Sequence, residues 1–195
     1  MSSLKKAIEE NIKIKKLLLK KKKIILKIIN KIYHTLNNDG KILTCGNGGS
    51  AADAQHLAAE FMIRLRPNVN RPPLPVISLT LDTSTLTACG NDLGFDKIFS
   101  RNLQAIGSHV DLLLCISTSG NSRNIIEVLK MANKMKIPSI SLLGNNGGLA
   151  KKYSEISFIV PSKNVARIQE AHIFLGHYIF EQVENKILNK SYIFK

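Results

Sequence analysis

Five short apolar runs, each followed by a loop and in most cases by a helical pattern, are the feature that most limits how this chain can fold. In a parallel sheet, successive strands are joined by crossover helices, which cover both faces of the sheet. The alternation therefore predicts an α/β fold built on a parallel sheet. The strands are expected at Ile42–Cys45, Leu74–Leu81, Val110–Ser117, Ser139–Leu143 and Ile156–Val160.

The N-terminal region predicts one long helix or two in succession, because residues 3–37 contain no Gly or Pro and carry apolar residues at helical spacing. A helix of that length cannot bury its apolar side on a domain of this size, so we expect part of it to pack against another subunit. The chain length fits a single domain over residues 1–195, with 1–38 as a helical oligomerisation region and 39–195 as the core. Further helices are expected at Ala51–Leu65, Phe95–Ile106, Ser122–Lys136 and Val165–Leu188.

Charge and cysteine content exclude several classes of protein. The formal net charge is +14, and eleven lysines lie between Lys5 and Lys31 against two glutamates. No aromatic residue interleaves with them, as a single-strand binding platform requires, so we interpret them as a solvated helix surface and expect no nucleic-acid partner. No run of 18 apolar residues occurs, so no membrane span is expected. Three cysteines without CxxC spacing favour a reducing cytoplasm over a disulfide framework or zinc knuckle.

The loop after the first strand predicts an anion site beside two titratable side chains. Residues 46–50, Gly-Asn-Gly-Gly-Ser, let the backbone approach a ligand closely. We expect Ser50 to cap the next helix, whose first N–H groups then point at the ligand. His56 and Glu60 are four residues apart on that helix and share a face. A His and a Glu beside an anion can transfer protons or hold a metal ion.

A second loop, after the third strand, predicts a phosphate site. Residues 117–122, Ser-Thr-Ser-Gly-Asn-Ser, carry four hydroxyl groups and lead into a helix that begins near Arg123. Hydroxyls and free N–H groups at a helix N-terminus suit a phosphate, and one serine cap would not account for all four. Neither loop matches a nucleotide-binding signature, because GxxxxGK[ST] is absent and the first loop does not match GxGxxG.

The last predicted helix carries His172 and His177. These residues are five apart, which places them on different faces, so they are not a pair of ligands from one helix. One of the two histidines can be purely structural.

Four segments, in order along residues 40–185, resemble the phosphoheptose isomerases, which are SIS-domain enzymes acting on sedoheptulose 7-phosphate. They are GNGGSAADAQHLAAE, the segment Leu81–Phe95, STSGNS, and RIQEAH followed by His177. The resemblance implies a three-layer, flavodoxin-like sandwich with five parallel strands and a homotetramer with active sites between subunits. It also implies conversion to D-glycero-D-manno-heptose 7-phosphate through an enediolate, for heptose synthesis of the lipopolysaccharide type.

The resemblance assigns roles to residues at matching positions. Glu60 would be the base that moves a proton between C1 and C2, with His177 as its acid/base partner at the sugar oxygens. One zinc ion per subunit would be held by His56, Glu60, Gln169 and His177. The substrate would contact Asn47, Gly48, Gly49, Glu60, Asn91, Asp92 and Gln169, and Ser117, Thr118, Ser119 and Ser122 would hold its phosphate.

Spacing along the last helix bears on that ligand set. Gln169 and His177 are eight residues apart, which is a rise of about 12 Å along a straight helix. The two side chains can hardly reach one ion from the same copy of the helix. If they share a site, we expect one of them to come from a neighbouring chain, so that the enzyme is an obligate oligomer.

Three other functions stay open at this stage. A noncatalytic SIS protein, resembling the factor that associates with the DnaA replication initiator, is a close relative, but the presence of Glu60 and His177 favours an enzyme. A different sugar-phosphate isomerase, acting on arabinose 5-phosphate or hexulose 6-phosphate, resembles the RIQEAH helix and the N-terminal region less. A nucleic-acid-binding module, indicated only by the lysines, ranks last.

Overall fold

The computed structural model describes residues 3–193, so the first two and last two residues of the predicted single domain lie outside the described residues. Its centre is an all-parallel sheet with helices on both faces. The strands are β1 (Ile42–Gly46), β2 (Val76–Ser78), β3 (Leu112–Ser117), β4 (Ser139–Gly144) and β5 (Ile156–Val160). Their order is β2-β1-β3-β4-β5, the flavodoxin-like order. The predicted α/β class and five-stranded parallel sheet are confirmed.

The helices cover the sheet in the predicted alternation, with two further helices, one between β2 and the Phe95 region and a short one between β4 and β5. The N-terminal stretch forms two helices, with a turn at Lys20 and Lys21. The helix predicted from Phe95 begins with a 3-10 turn, Phe95–Lys97. The α-helices are α1 (Leu4–Leu19), α2 (Lys22–Asn37), α3 (Gly49–Met62), α4 (Thr83–Asp92), α5 (Ile98–Ile106), α6 (Arg123–Lys134), α7 (Ala150–Tyr153) and α8 (Val165–Ile193).

Two local differences from the sequence prediction have physical causes. The second strand is three residues long instead of spanning Leu74–Leu81, because Pro75 has no N–H for the ladder and β2 is an edge strand. Helix α4 was not predicted, because only Cys89 of its residues is buried and no apolar stripe marks it. Its start is fixed by Asp82, whose Oδ1 accepts a hydrogen bond from the Thr85 N–H at 2.8 Å.

The sheet separates two apolar cores, and neighbouring residues of β1 point into different ones. Ile42 packs into the core beneath α1, α2, α3 and α8 together with Phe61 and Phe180. Leu43 packs into the core beneath α4, α5 and α6 together with Phe99. Strand β1 is buried throughout, as expected for a strand covered on both faces.

The loops after β1 and β3 lie at the same end of the sheet, where the carboxyl ends of the strands are, because the two strands are parallel neighbours. Strand β2 lies on one side of β1, and β3 lies on the other. The carboxyl ends of β1 and β3 therefore form a topological switch point. Ligands of open α/β sheets bind in the crevice at such a point. No helix in the described part of the chain is long and apolar enough to span a membrane.

Candidate active site

Three predicted site residues, His56, Glu60 and His177, lie together where α3 passes α8. The Nε2 atoms of His56 and His177 are 2.7 Å apart, and His56 Nε2 lies 3.5 Å from Glu60 Oε1. One ligand atom from each of the three residues lies within 4.8 Å of the others. Among residues 3–193, this is the group of His, Cys, Asp and Glu side chains arranged closely enough to hold a metal ion.

Helix α8 approaches α3 closely because residue 176 is a glycine. A Cβ atom at Gly176 would lie 2.6 Å from Cδ1 and 2.7 Å from Cδ2 of Leu57, which is far inside van der Waals contact. One helical turn further along each helix, the Phe61 and Phe180 rings pack against each other at an angle of 46°, with centroids 3.7 Å apart. The close packing brings the adjacent residue His177 within reach of α3.

The electrostatic environment keeps the imidazole of His177 neutral. Burial lowers the pKa of His177, because the protonated form loses hydration, and the neighbouring His56 lowers it further. The Glu60 carboxylate acts in the opposite direction. Burial also raises the pKa of Asp53, against the effect of His56. A neutral imidazole can accept a proton or donate a lone pair to a metal ion.

The loop after β1 differs from the sequence prediction at its cap. The predicted cap, Ser50, lies inside the first turn of α3 and is buried, and the N-cap position is taken by Gly48. Gly48 has a φ of 54°, a left-handed conformation that glycine adopts without strain. Asn47, Gly48 and Gly49 are partly or fully exposed at this helix N-terminus, where N–H groups lack intrahelical partners.

Gln169 lies at the other end of the α3–α8 contact from His177. A Cβ atom at Gly49 would lie 2.3 Å from Gln169 Nε2, so the amide of Gln169 covers the start of α3. His56 is seven residues further along α3, a rise of about 10 Å. Within one chain, Gln169 therefore lies beside the glycine loop and apart from the group formed by His56, Glu60 and His177.

The loop after β3 places its hydroxyl groups around the N-terminus of α6. Ser117 Oγ accepts a hydrogen bond from the Gly120 N–H, and Ser119 Oγ accepts one from the Asn121 N–H, both at 3.1 Å. Ser122 is the N-cap residue of α6, but its side chain makes no capping bond. A Cβ at Gly120 would lie 2.1 Å from the Gly147 carbonyl oxygen, so the loop requires glycine there. Thr118 and Ser119 are accessible to a ligand.

A residue that sequence reasoning missed joins the two loops. Asn124 is buried in the first turn of α6, and its amide exchanges two hydrogen bonds of 2.8 Å with the amide of Asn47. Its sequence signal was weak, because an Asn near a helix start is common in any protein. The predicted residues Asn91 and Asp92 are exposed at the end of α4 and hydrogen-bond to each other at 2.8 Å, and no described contact joins them to His56, Glu60 or His177.

The second histidine of α8, His172, is fully buried. Neither ring nitrogen has a hydrogen-bond partner of good geometry. Burial lowers the pKa of His172 to about 4, against a smaller opposing effect of the Leu143 backbone. His172 is therefore neutral in the folded protein at pH 7.

Comparisons with known proteins identify the family of the chain. Residues 9–144 match the family model of the SIS domain. The chain is 52% identical over 163 residues to the phosphoheptose isomerase of Chlorobaculum parvum, covering 83% of this chain and 78% of that protein. The phosphoheptose isomerase structure from Neisseria gonorrhoeae matches with a TM-score of 0.82 and 41% identity, over 91% of this chain and 92% of that one. The Francisella tularensis phosphoheptose isomerase matches with a TM-score of 0.89 and 35% identity, over 95% and 100%.

Proposed function

Because the chain belongs to the SIS-domain family and, within it, to the phosphoheptose isomerases, we propose that it converts D-sedoheptulose 7-phosphate into D-glycero-D-manno-heptose 7-phosphate. One observation carries the proposal at the level of residues. The Glu60 carboxylate lies one helical turn from His56 and close to His177 of another helix. This arrangement supplies a base and a proton donor in one group, and the anion-binding loops, which lie at the other end of α3, would complete the active site from a neighbouring subunit.

The proton transfer needs a carboxylate that can reach a carbon-bound hydrogen. In the proposed reaction, Glu60 removes a proton from C1 of the ketose, and the electron pair forms an enediolate. The same carboxyl group returns the proton to C2. His177 moves a proton between the oxygens on C1 and C2, which a neutral imidazole of lowered pKa can do in both directions.

The phosphate-binding site supplies binding energy remote from the reacting carbons. We assign it to Ser117, Thr118, Ser119 and Ser122 with the N–H groups at the start of α6. Asn47, Gly48 and Gly49 at the start of α3, with Asn91, Asp92 and Gln169, are the proposed contacts to the sugar. Asn124 supports these contacts indirectly, because its amide fixes the orientation of the Asn47 amide.

A zinc ion fits the donor set. Two imidazole nitrogens and a carboxylate oxygen, from His56, His177 and Glu60, lie within 4.8 Å of one another, and these are the usual protein ligands of zinc with a position left for substrate. Bound zinc would act as a Lewis acid at the sugar oxygens. Gln169 of the same chain lies beside Gly49, so its proposed part in the zinc site is that of a ligand from a neighbouring subunit.

The proposal includes a homotetramer with active sites between subunits, formed by a single SIS domain whose residues 1–38 contribute to assembly. A groove of about 580 Å³ between α1, α2 and α8 supports it, because its walls include the exposed apolar side chains Leu19, Leu26 and Phe174. A second copy of the chain would remove this surface from water. The three unpaired cysteines suit a cytoplasmic location.

The experiment is a direct assay of the purified full chain with sedoheptulose 7-phosphate. Formation of the heptose 7-phosphate is followed after metal removal and again with added zinc. Turnover establishes the isomerase, and a zinc-dependent rate establishes the metal requirement. Absence of turnover in both conditions, in a folded oligomeric protein, contradicts the proposal and favours a noncatalytic role resembling that of the initiator-associating factor. A matched assay with arabinose 5-phosphate distinguishes the heptose isomerase from other sugar-phosphate isomerases.

A further inference from the structure

A network of buried charges lies where α3 ends, outside the residues to which a role has been given. The Glu184 side chain of α8 is 0% exposed and that of Arg71 is 1% exposed, and Arg71 Nε lies 2.5 Å from Glu184 Oε1. Arg66 Nε lies 2.6 Å from the other carboxylate oxygen of Glu184. Removing such charges from water is costly, so a pair of this kind is weak evidence for stability alone.

Arg71 also holds the backbone of α3. Its Nη2 donates to the carbonyl oxygen of Glu60 and its Nη1 to that of Phe61, both at 2.9 Å. These carbonyls belong to the last turn of the helix, where intrahelical donors run out. One planar guanidinium therefore ties the backbone of Glu60 to a carboxylate on α8.

Each end of this connection is linked to a residue of the candidate active site. Glu184 follows His177 by seven residues, which is two helical turns and returns to the same face of α8. Arg71 contacts the carbonyl of Glu60 itself. We propose that Arg71 and Glu184 are positioning residues that set the distance and register between the His56–Glu60 pair of α3 and His177 of α8. The inference rests on the proposed function in that these three side chains are taken as the reacting and zinc-binding groups.

The forked guanidinium group allows Arg71 to donate hydrogen bonds to α8 and to the backbone of α3 at the same time. Three acceptors, one carboxylate oxygen and two backbone carbonyls, are met by three different nitrogens of Arg71. A lysine carries one nitrogen at the end of a flexible stem and cannot reach all three in fixed geometry. Arg71→Lys therefore keeps the charge but loses the connection, and Glu184→Gln keeps the shape but removes the charge.

A second buried ion pair provides the matched control. Lys41 Nζ lies 2.6 Å from Asp111 Oδ2, and the Asp111 side chain is 2% exposed. Asp111 also accepts hydrogen bonds from the N–H groups of Lys41 and Ser108. This pair precedes β1 and β3, and its described hydrogen bonds join Lys41, Ser108 and Asp111 without reaching α3, α8, Arg71 or Glu184. Asp111→Asn is thus expected to cost stability without moving α3 against α8.

The test compares the Arg71→Lys, Glu184→Gln and Asp111→Asn variants of the full chain with the unaltered protein. Thermal unfolding gives the stability, and competition with a chromophoric chelator gives the zinc affinity without substrate. The imidazole NMR signals of His56 and His177 report their contact in the metal-free protein. We expect all three variants to be less stable, whereas only Arg71→Lys and Glu184→Gln weaken zinc binding, by about 10-fold or more, and shift the imidazole signals. In these two, kcat falls and KM changes little, because the phosphate loop is on other elements.

Two results would overturn the inference. One is zinc affinity and imidazole signals in Arg71→Lys and Glu184→Gln that equal those of the unaltered protein, which would leave only a role in stability. The other is an equal loss in Asp111→Asn, which would make the effect a general consequence of destabilisation. A variant that is unfolded in buffer is measured with trimethylamine N-oxide, which favours the folded state, beside the unaltered protein in the same solution. If the unaltered chain does not isomerise the sugar or bind zinc, the proposed function fails, while the imidazole signals still decide the positioning role.

Discussion

The side-chain amides of Asn47 and Asn124 each donate a hydrogen bond to the other's oxygen at 2.8 Å. Asn47 lies in the loop after β1, and Asn124 lies in the first turn of α6, after the β3 loop. The pair therefore holds two loops from neighbouring strands at a fixed separation. The partly exposed Asn47 retains one N–H for a ligand, since a side-chain amide carries two.

Removing one member of this pair should loosen substrate binding. In Asn124→Ala, the Asn47 amide loses its partner, so we expect KM to rise several-fold with a smaller change in kcat, and the unfolding free energy to fall by about 1 kcal/mol. Steady-state kinetics and urea unfolding measure the two effects. Asn133→Ala is the control, because Asn133 lies on the same helix but bonds to the Tyr153 carbonyl. A KM in Asn124→Ala equal to that of the control would contradict the role of the pair.

Gly176→Ala should separate α8 from α3. The new Cβ would lie 2.6 Å from Leu57 Cδ1, so the helices must move apart or Leu57 must leave its rotamer, at a cost of about 1–3 kcal/mol. We expect a lower unfolding midpoint and weaker zinc binding, because His177 follows Gly176 directly. Gly90→Ala in α4 is the control, because no atom lies within 4 Å of its Cβ position, and alanine there should stabilise the helix. Equal midpoints for the two variants would show that α8 does not need this close approach.

Glu60→Gln should abolish isomerisation while the protein stays folded. The amide has the shape of the carboxyl group but cannot accept a carbon-bound proton, so we expect kcat to fall by at least about 100-fold. Exchange of the C1 hydrogen with deuterium from solvent, followed by NMR, measures the same step. Glu155→Gln, at the start of β5 in an exposed ion pair with Lys31, should keep full activity. Retained exchange in Glu60→Gln would assign the base to another residue.

Ser119→Ala should mainly raise KM, because the phosphate is held in the ground state and in the transition state alike. Inorganic phosphate should also inhibit this variant less. Ser162→Ala is closely matched, because both hydroxyl oxygens accept a hydrogen bond at 3.1 Å from the N–H two residues later. If both variants keep the KM of the unaltered enzyme, the loop at residues 117–122 does not hold the phosphate.

His172 should make the folded state sensitive to acid. Its folded-state pKa is about 4, whereas an unfolded histidine titrates near 6.5. Below pH 6.5 the unfolded chain therefore binds a proton at His172 that the folded protein does not bind. The contribution of His172 to the unfolding free energy is fully present above that pH and is lost as the pH falls toward 4. The contribution lost by pH 4 is about 3 kcal/mol. Below pH 4 both states are protonated, and the loss stops.

Urea unfolding at pH 7.5, 6 and 5 tests this expectation. His172→Gln should be less stable than the unaltered protein at pH 7.5, but the difference should shrink as the pH falls, because the variant has no group to protonate. His109→Gln, at an exposed position, should follow the pH dependence of the unaltered protein. A constant difference between His172→Gln and the unaltered protein across the three pH values would show that this imidazole titrates normally in the fold.

The sheet and its loops could be predicted because their signals are local. Apolar runs such as Ile156–Val160 are strands in both the prediction and the structure, and the glycine and hydroxyl loops follow β1 and β3 as expected. The pair His56 and Glu60 follows from helical spacing. Each of these inferences uses residues close together in sequence.

The rest of the site depends on contacts between distant segments. No local pattern predicts that Asn124 meets Asn47, that Gly176 lies against Leu57, or that Arg71 reaches the carbonyl of Glu60. The cap predicted at Ser50 was wrong because the tight turn at Gly48 starts the helix earlier. The placement of α3 against α8 is decided by packing between residues that are far apart in sequence, and sequence patterns within one helix do not predict such contacts.

The contact between His56 and His177 joins residues separated by 121 positions, and this separation sets an order of events during synthesis. The loop at residues 46–50, the loop at residues 117–122 and four of the five strands are synthesised before residue 145. A chain at that stage carries the segments of both predicted anion-binding loops but only two of the three side chains of the group, His56 and Glu60. The group formed by His56, Glu60 and His177 is therefore complete only after α8 has been synthesised and has packed beside α3.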